Sequence, residues 1–146
     1  EIEKGNRSLS VLLNLLLLYW QGTDTGVASA KKLSPKFLAV AGKRVLEILE
    51  EAQVIYPNST EVRFWNFYIP WADYGDTFEI EECRNLLSQD PNSLVPAMFL
   101  FSISEGKEAG EEAKNLLNDC REDNTARSLY IISVIEGVIK RAKYTN

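Results

Sequence analysis

Apolar residues recur along the chain at spacings of three and four, and short polar turns separate the apolar segments. This pattern is typical of amphipathic helices. Residues that start or stop helices bound the segments, such as Ser59 before one and Pro57 after another. The sequence therefore predicts an all-α protein of about seven helices. The expected ranges are Leu9–Trp20, 35–56, Glu61–Tyr74, Phe78–Gln89, 94–104, Lys107–Cys120 and Ala126–Lys143.

The first of these segments, within residues 8–20, is apolar almost throughout, since only Ser10 and Asn14 interrupt it. A membrane or signal segment is one interpretation. A membrane-spanning helix needs about 20 apolar residues, and this run is shorter. We therefore expect a helix that is buried on nearly all sides. Residues 21–33 are rich in Gly, Thr and Ala, which predicts a long loop.

A triplet repeats in the middle of the chain: Pro57-Asn58-Ser59 returns as Pro91-Asn92-Ser93, 34 residues later. Two helical segments lie between the triplets, on either side of Gly75-Asp76. A period of about 34 residues that holds two helices is the signature of a helix-hairpin repeat. The prediction is a right-handed stack of antiparallel helix hairpins over residues 34–143, within one domain of residues 1–146. Pro70 predicts a kink or break in the first helix of this repeat.

Composition fits a globular domain, with 45% hydrophobic and 25% charged residues. The net charge is -5, from 21 acidic and 16 basic residues, which disfavours a large phosphate-binding surface. Direct contact with nucleic acid and with membranes is therefore not expected. The chain begins with Glu1 instead of Met, and we expect it to be part of a longer or processed protein.

Residues suited to chemistry are scarce. The chain has no His, which removes the commonest general base and the commonest metal ligand together. Cys83 and Cys120 form no CxxC motif and are expected to be free thiols in a reducing, intracellular compartment. The sequence predicts no enzyme, no catalytic residue, no cofactor and no metal. The acidic residues of one stretch lack metal-site spacing and indicate a solvated helix face: Asp76, Glu79, Glu81 and Glu82.

The second helices of the hairpins share one spacing. Val45, Leu49, Ala52 and Pro57 are followed at the same intervals by Glu79, Cys83, Leu86 and Pro91, and then by Ala109, Ala113 and Leu116. This spacing resembles the second half of a tetratricopeptide repeat (TPR). The first helix carries Trp65, Tyr68 and Trp71 before Gly75, which resembles the aromatic pattern of the half-a-TPR (HAT) variant. Ala72 departs from the HAT pattern, which commonly has an acidic residue there.

The resemblance implies a function as well as a fold. HAT proteins are mostly scaffolds in RNA-processing assemblies, which implies a non-enzymatic protein–protein interaction module and a nuclear location. TPR-like folds also occur in bacterial regulators, chaperone cofactors and toxin-neutralising proteins. Two alternatives therefore stay open: a bacterial toxin-neutralising (immunity-type) binding protein, and a subunit that contacts RNA through a basic stretch.

Two apolar surfaces are candidates for binding a partner. The aromatic helix would present side chains to a peptide or helix in the concave groove of the stack, because Trp and Tyr dominate binding hot spots. The seventh helix has no partner helix in the chain, so its apolar stripe would pack on the sixth helix and meet a partner, or a second copy in a homodimer, on one side. The partner-binding candidates are Phe64, Tyr68, Trp71, Leu129, Ile132 and Ile135.

The densest group of basic residues is the candidate contact for RNA phosphate or an acidic partner. Its alternative is a loop and a solvated helix face, which the acidic total favours. The residues are Lys31, Lys32, Lys36, Lys43 and Arg44.

Overall fold

A computed structural model describes residues 8–22 and 35–145, with side chains placed for residues 8–21 and 40–142. The described residues form seven helices, and the all-α prediction is confirmed. The helices are α1 (Leu9–Gly22), α2 (Pro35–Ile55), α3 (Thr60–Tyr74), α4 (Ile80–Gln89), α5 (Pro96–Ile103), α6 (Gly110–Arg121) and α7 (Ala126–Thr145). Most of the predicted loop of residues 21–33 lies outside the described residues.

The helices group into two compact units, which join between Pro57 and Asn58. The first unit contains α1 and α2, and the second contains α3 to α7. The single domain of residues 1–146 stays a prediction.

In the first unit, α1 packs along α2. Leu12, Leu16 and Leu17 are fully or almost fully buried, because they lie on one face of α1. The prediction of burial on nearly all sides is wrong at Leu18, whose side chain is 57% exposed. Only part of the surface of α1 faces α2, so even this apolar helix has a side that is exposed to solvent. Over the described residues, no helix combines the length and the apolar character that crossing a membrane requires.

In the second unit, helices pack mostly on their neighbours in sequence. α3 packs against α4 and α5, α5 packs against α6 and α7, and the pairs α4–α5 and α6–α7 also pack together. The core is rich in aromatic side chains from α3 and α5. Its largest fully buried members include Phe64, Trp65, Ile69, Met98, Phe99, Ile131 and Ile135.

The start of α3 has the predicted cap, whereas the start of α5 differs from the prediction. Ser59 precedes α3, and its hydroxyl accepts a hydrogen bond from the Val62 N–H at 3.3 Å, as predicted. The fifth helix begins at Pro96, because proline is suited to the first position of a helix. The prediction began that helix two residues earlier, after Ser93.

The interior of α3 and the start of α6 also differ from the prediction. α3 continues through Pro70 to Tyr74 as one helix, so the alternative of a break is wrong. α6 begins at Gly110, three residues later than predicted. The residues before it are held in a turn, in which the Ser104 hydroxyl accepts hydrogen bonds from the N–H groups of Lys107 and Glu108 at 3.2 and 2.9 Å.

Candidate protein-interaction surface

The aromatic residues of α3 are mainly core residues. Phe64 and Trp65 are fully buried, and Tyr68 is nearly so. Phe64 stacks on Tyr68 with ring centroids 5.2 Å apart and meets the edge of Trp65 at 5.1 Å. Burial therefore places Phe64 and Tyr68 inside the second unit instead of on a binding surface. Trp71 is half-buried, and its ring contacts Phe99 of α5 at 5.0 Å.

Side chains of α3 and α7 meet directly. The hydroxyls of Tyr68 and Tyr130 are hydrogen-bonded at 2.7 Å, and the rings of Trp65 and Tyr130 lie 6.0 Å apart. In an open stack of hairpins, the first helix of one hairpin would not reach the first helix of the next hairpin but one. The contact between α3 and α7 is thus made by aromatic rings of the chain itself.

An ion pair extends this contact towards the start of both helices. The Glu61 carboxylate pairs with the Arg127 guanidinium through Nε and through Nη2, the latter at 2.8 Å, and it accepts a hydrogen bond from Trp65 Nε1 at 3.0 Å. Burial opposes the charge on Arg127, but the hydrogen bonds and charge of Glu61 outweigh it and raise the pKa of Arg127. The satisfied geometry indicates a structural clamp between α3 and α7.

Neither cysteine is activated as a nucleophile. Both are free and buried. Burial, together with the charge of Glu108, raises the pKa of the Cys83 thiol to about 12, and its Sγ donates to the Pro96 carbonyl at 3.3 Å. Burial also raises the pKa of Cys120. At neutral pH both thiols are protonated, whereas nucleophilic attack requires the thiolate.

The apolar stripe predicted on α7 is divided between core and surface. Ile135 is fully buried, Ile132 is half-buried, and Leu129 is 52% exposed. The buried side of the helix runs instead through Ile131, Ile135 and Val138. The stripe therefore leaves Leu129 and part of Ile132 exposed.

The structure brings little of the predicted basic stretch together. Lys31, Lys32 and the side chain of Lys36 lie outside the described residues. Lys43 is exposed. Arg44 is half-buried, pairs with Glu47 at 3.4 Å and lies over the Tyr19 ring at 5.8 Å from its centre. The charge of Arg44 is thus partly engaged within the first unit.

A surface that the sequence interpretation missed lies where α3 turns into α4. It combines two exposed large hydrophobic side chains with exposed carboxylates. Tyr74 is 69% exposed, and Ile80 is 40% exposed. We call this surface the acidic turn, and its residues are Asp73, Tyr74, Asp76, Glu79, Ile80 and Glu82, all of them exposed.

The acidic turn is held by a helix cap at Gly75 and by a buried ring at Phe78. Gly75 ends α3 in the left-handed conformation, with φ of 71°, and its N–H donates to the Trp71 carbonyl at 3.1 Å. Phe78 is buried, and its ring stacks on Phe99 at 4.5 Å and on Phe67 at 5.2 Å. The loop between the helices therefore holds a defined path, and the exposed side chains project from a fixed backbone.

All charged side chains of the acidic turn are negative. Residues 71–83 include no Lys or Arg. In the part of the chain that the structure describes, Asp76, Glu79 and Glu82 form no ion pair. Their neighbour Glu81 pairs with Arg84, which also holds Glu108 through two hydrogen bonds of 2.7 and 2.9 Å. Those hydrogen bonds lower the pKa of Glu108.

The acidic residues of this stretch are visible in the sequence, but their interpretation as a solvated helix face overlooked the two apolar side chains among them. The signal that could have revealed the surface is Tyr74 and Ile80 inside a run without basic residues. Across residues 8–21 and 40–142, no three potential metal ligands come together. Comparisons with family models, with curated proteins and with solved structures find no significant match to this chain.

Proposed function

We propose that the chain is a non-enzymatic protein-interaction module that binds its partner through the acidic turn. The observation that carries the proposal is Tyr74, 69% exposed on a turn whose backbone is fixed by Phe78. Tyr is among the residues enriched in binding hot spots, because its ring adds a large contact area and its hydroxyl a polar contact. A fixed backbone lowers the entropy lost on binding.

A stack of helix hairpins is the architecture we propose for the second unit. The first helices of successive hairpins pack on one another, α3 on α5 and α5 on α7, and each also packs on the helix that follows it. This order of contacts supports a TPR-like arrangement. The direct contact between α3 and α7 favours a tightly closed version, with the partner on the outside instead of in the groove.

The proposal of a binding role over a catalytic one rests on the available side chains. The chain has no His, and burial keeps both thiols protonated at neutral pH. Phosphate groups would be repelled by the acidic turn, so a protein partner is favoured over RNA there. Membership of an RNA-processing assembly, as the HAT resemblance implies, is compatible with a protein contact of this kind.

A second candidate function is a toxin-neutralising protein that binds one basic toxin, and the one-sided charge of the acidic turn favours it. The two candidates differ in what the partner does. A neutralising protein would abolish the activity of its partner on forming a stoichiometric complex, whereas a scaffold would leave that activity unchanged.

The proposed function is tested by quantitative pull-down from the native extract with the wild type and a Tyr74→Ala variant. Circular dichroism first establishes that both fold equally. The matched control is Val54→Ala, which removes an equally exposed apolar side chain from α2. We expect a partner that the wild type and Val54→Ala retain and Tyr74→Ala loses. Equal recovery by all three proteins would contradict the proposal.

A further inference from the structure

The acidic turn places two exposed apolar side chains within a run of exposed carboxylates, and this combination restricts what can cover it. A second apolar patch alone would leave Asp76, Glu79 and Glu82 facing the interface without partners. Burying a carboxylate without a counter-charge is unfavourable, so an occupant must bring positive charge close to these groups.

The same surface is unsuited to the other ligands that carboxylates attract. A metal site needs convergent ligands, and in the described part of the chain these carboxylates do not form a group of three potential ligands. Nucleic acids and anionic lipid surfaces carry the same sign of charge as the turn. A positively charged protein segment satisfies both the charge and the apolar character.

Tyr74 favours a particular cation within such a segment. A guanidinium group can lie flat on an exposed aromatic ring and donate two parallel hydrogen bonds to a carboxylate at the same time. An exposed carboxylate stands at Asp76, two residues after Tyr74 in sequence. Ile80, which is 40% exposed, provides the apolar contact for a neighbouring aliphatic side chain of the occupant.

We infer that the acidic turn binds an arginine-containing segment of a partner protein, in which basic residues alternate with apolar ones. This inference rests on the proposed function and specifies the chemistry of the partner. Arginine pairs with the carboxylates and stacks on Tyr74, while the apolar side chains cover Ile80.

The test uses the whole chain and a short synthetic peptide of alternating arginine and leucine. Two-dimensional NMR of the labelled protein locates the bound peptide, and isothermal titration measures its affinity. We expect the shifted amide signals to cluster at residues 71–82. A matched peptide with glutamate in place of arginine should not bind, and one with lysine should bind more weakly, because lysine cannot stack or pair in the same bidentate way.

Variants separate a specific surface from general attraction to an acidic protein. The double substitution Glu79→Gln with Glu82→Gln should lower the affinity for the arginine peptide about three- to tenfold. Tyr74→Ala should lower this affinity more than about fivefold. The control Glu111→Gln with Asp119→Asn removes the same charge from exposed positions of α6 and should leave the affinity within about twofold.

The inference would be overturned if the control double variant lost as much affinity for the arginine peptide as the Glu79→Gln, Glu82→Gln variant. Amide shifts spread over both units would also overturn it. The inference and the proposed function fail separately. A partner whose capture depends on Tyr74 but whose contacting segment lacks Arg and Lys overturns the inference and leaves the proposed function standing. A native extract in which Tyr74→Ala loses no partner overturns the proposed function, whatever the peptide does.

Discussion

Glu61 and Arg127 show how the value of a charge depends on its surroundings. Their side chains are 14% and 22% exposed and join two helices that are far apart in sequence. The ion pair between Arg121 and Glu136, in contrast, is 54% and 49% exposed. Removing one member of a mostly buried ion pair leaves the other charge with little water and no counter-ion. An exposed charge that loses its counter-ion is readily solvated.

Arg127→Met should therefore lower the free energy of unfolding by about 2–3 kcal/mol, because Glu61 is left without its cation. Arg121→Met, the matched control in the exposed pair, should lower it by less than about 1 kcal/mol. Urea unfolding followed by circular dichroism measures both. Equal effects of the two substitutions would contradict the structural clamp between α3 and α7.

The buried Cys83 thiol predicts a loss of stability at alkaline pH. Its pKa is about 12 in the folded protein and near the ordinary 9.0 when unfolded. Between these values the unfolded thiol ionises and the folded one does not, so the unfolded state binds fewer protons and the free energy of unfolding falls as pH rises. Below pH 9 the thiol makes no pH-dependent contribution.

Comparison with Cys83→Ala isolates this effect from other groups that titrate at high pH. Above pH 9, the free energy of unfolding of the wild type should fall more steeply than that of the variant, by about 1.4 kcal/mol per pH unit. Urea titrations at several pH values measure the two slopes. Parallel slopes would show that the thiol is not buried as described.

At the scale of elements, the turn between α3 and α4 depends on a residue that tolerates positive φ. Gly75 has φ of 71°, and a Cβ added there would meet nothing within 4 Å. The cost of a side chain at this position is therefore conformational and not steric. The conformation of this turn determines the directions in which the side chains of Tyr74 and Ile80 project.

Gly75→Ala should lower the free energy of unfolding by about 1 kcal/mol, because alanine adopts positive φ unfavourably. Gly137→Ala, the control within α7, should raise it by about 0.5–1 kcal/mol, since alanine favours the helix and the added Cβ makes only an ordinary contact with Arg141 at 3.6 Å. The midpoint temperatures of thermal unfolding of the two variants should shift in opposite directions from that of the wild type. A Gly75→Ala variant at least as stable as the wild type would contradict the left-handed cap.

Helices and caps could be predicted from the sequence wherever local chemistry decides them. Apolar spacing predicted the existence of all seven helices, and Ser59 was predicted as the cap that the structure contains. The break that Pro70 predicted is wrong, because packing of the aromatic residues around it holds α3 as one helix, and the kink stays a prediction. Local rules do not include such tertiary support.

The candidate site could be predicted only in part, because exposure depends on contacts between distant residues. The aromatic pattern made Tyr68 a partner-binding candidate, but the sequence could not show that the Tyr130 hydroxyl of α7 would hydrogen-bond to it. In the same way, Leu129 and Ile135 share a predicted stripe, yet α7 turns so that only Ile135 is buried. The acidic turn emerged only when exposure was known.

At the scale of the whole molecule, the chain divides into two compact units. The second unit contains its own aromatic cluster and the clamp between α3 and α7. A core of this kind is expected to support independent folding. The acidic turn lies wholly within this unit.

A fragment of residues 58–146 should therefore fold alone, with a helical circular dichroism spectrum and a cooperative thermal transition. It should also bind the arginine peptide with the affinity of the whole chain within about twofold, because the acidic turn needs no residue of the first unit. A fragment that is unfolded, or that melts without a cooperative transition, would contradict the division into two units.

The most direct measurement is site-specific photo-cross-linking in the native extract. Benzoylphenylalanine replaces Tyr74 in one protein and Leu129 in another; both positions are exposed, and the aromatic probe preserves a ring at the acidic turn. Binding through the acidic turn predicts one dominant cross-linked protein from position 74 and none from position 129. Cross-links from position 129 alone would contradict it and assign the interaction to α7.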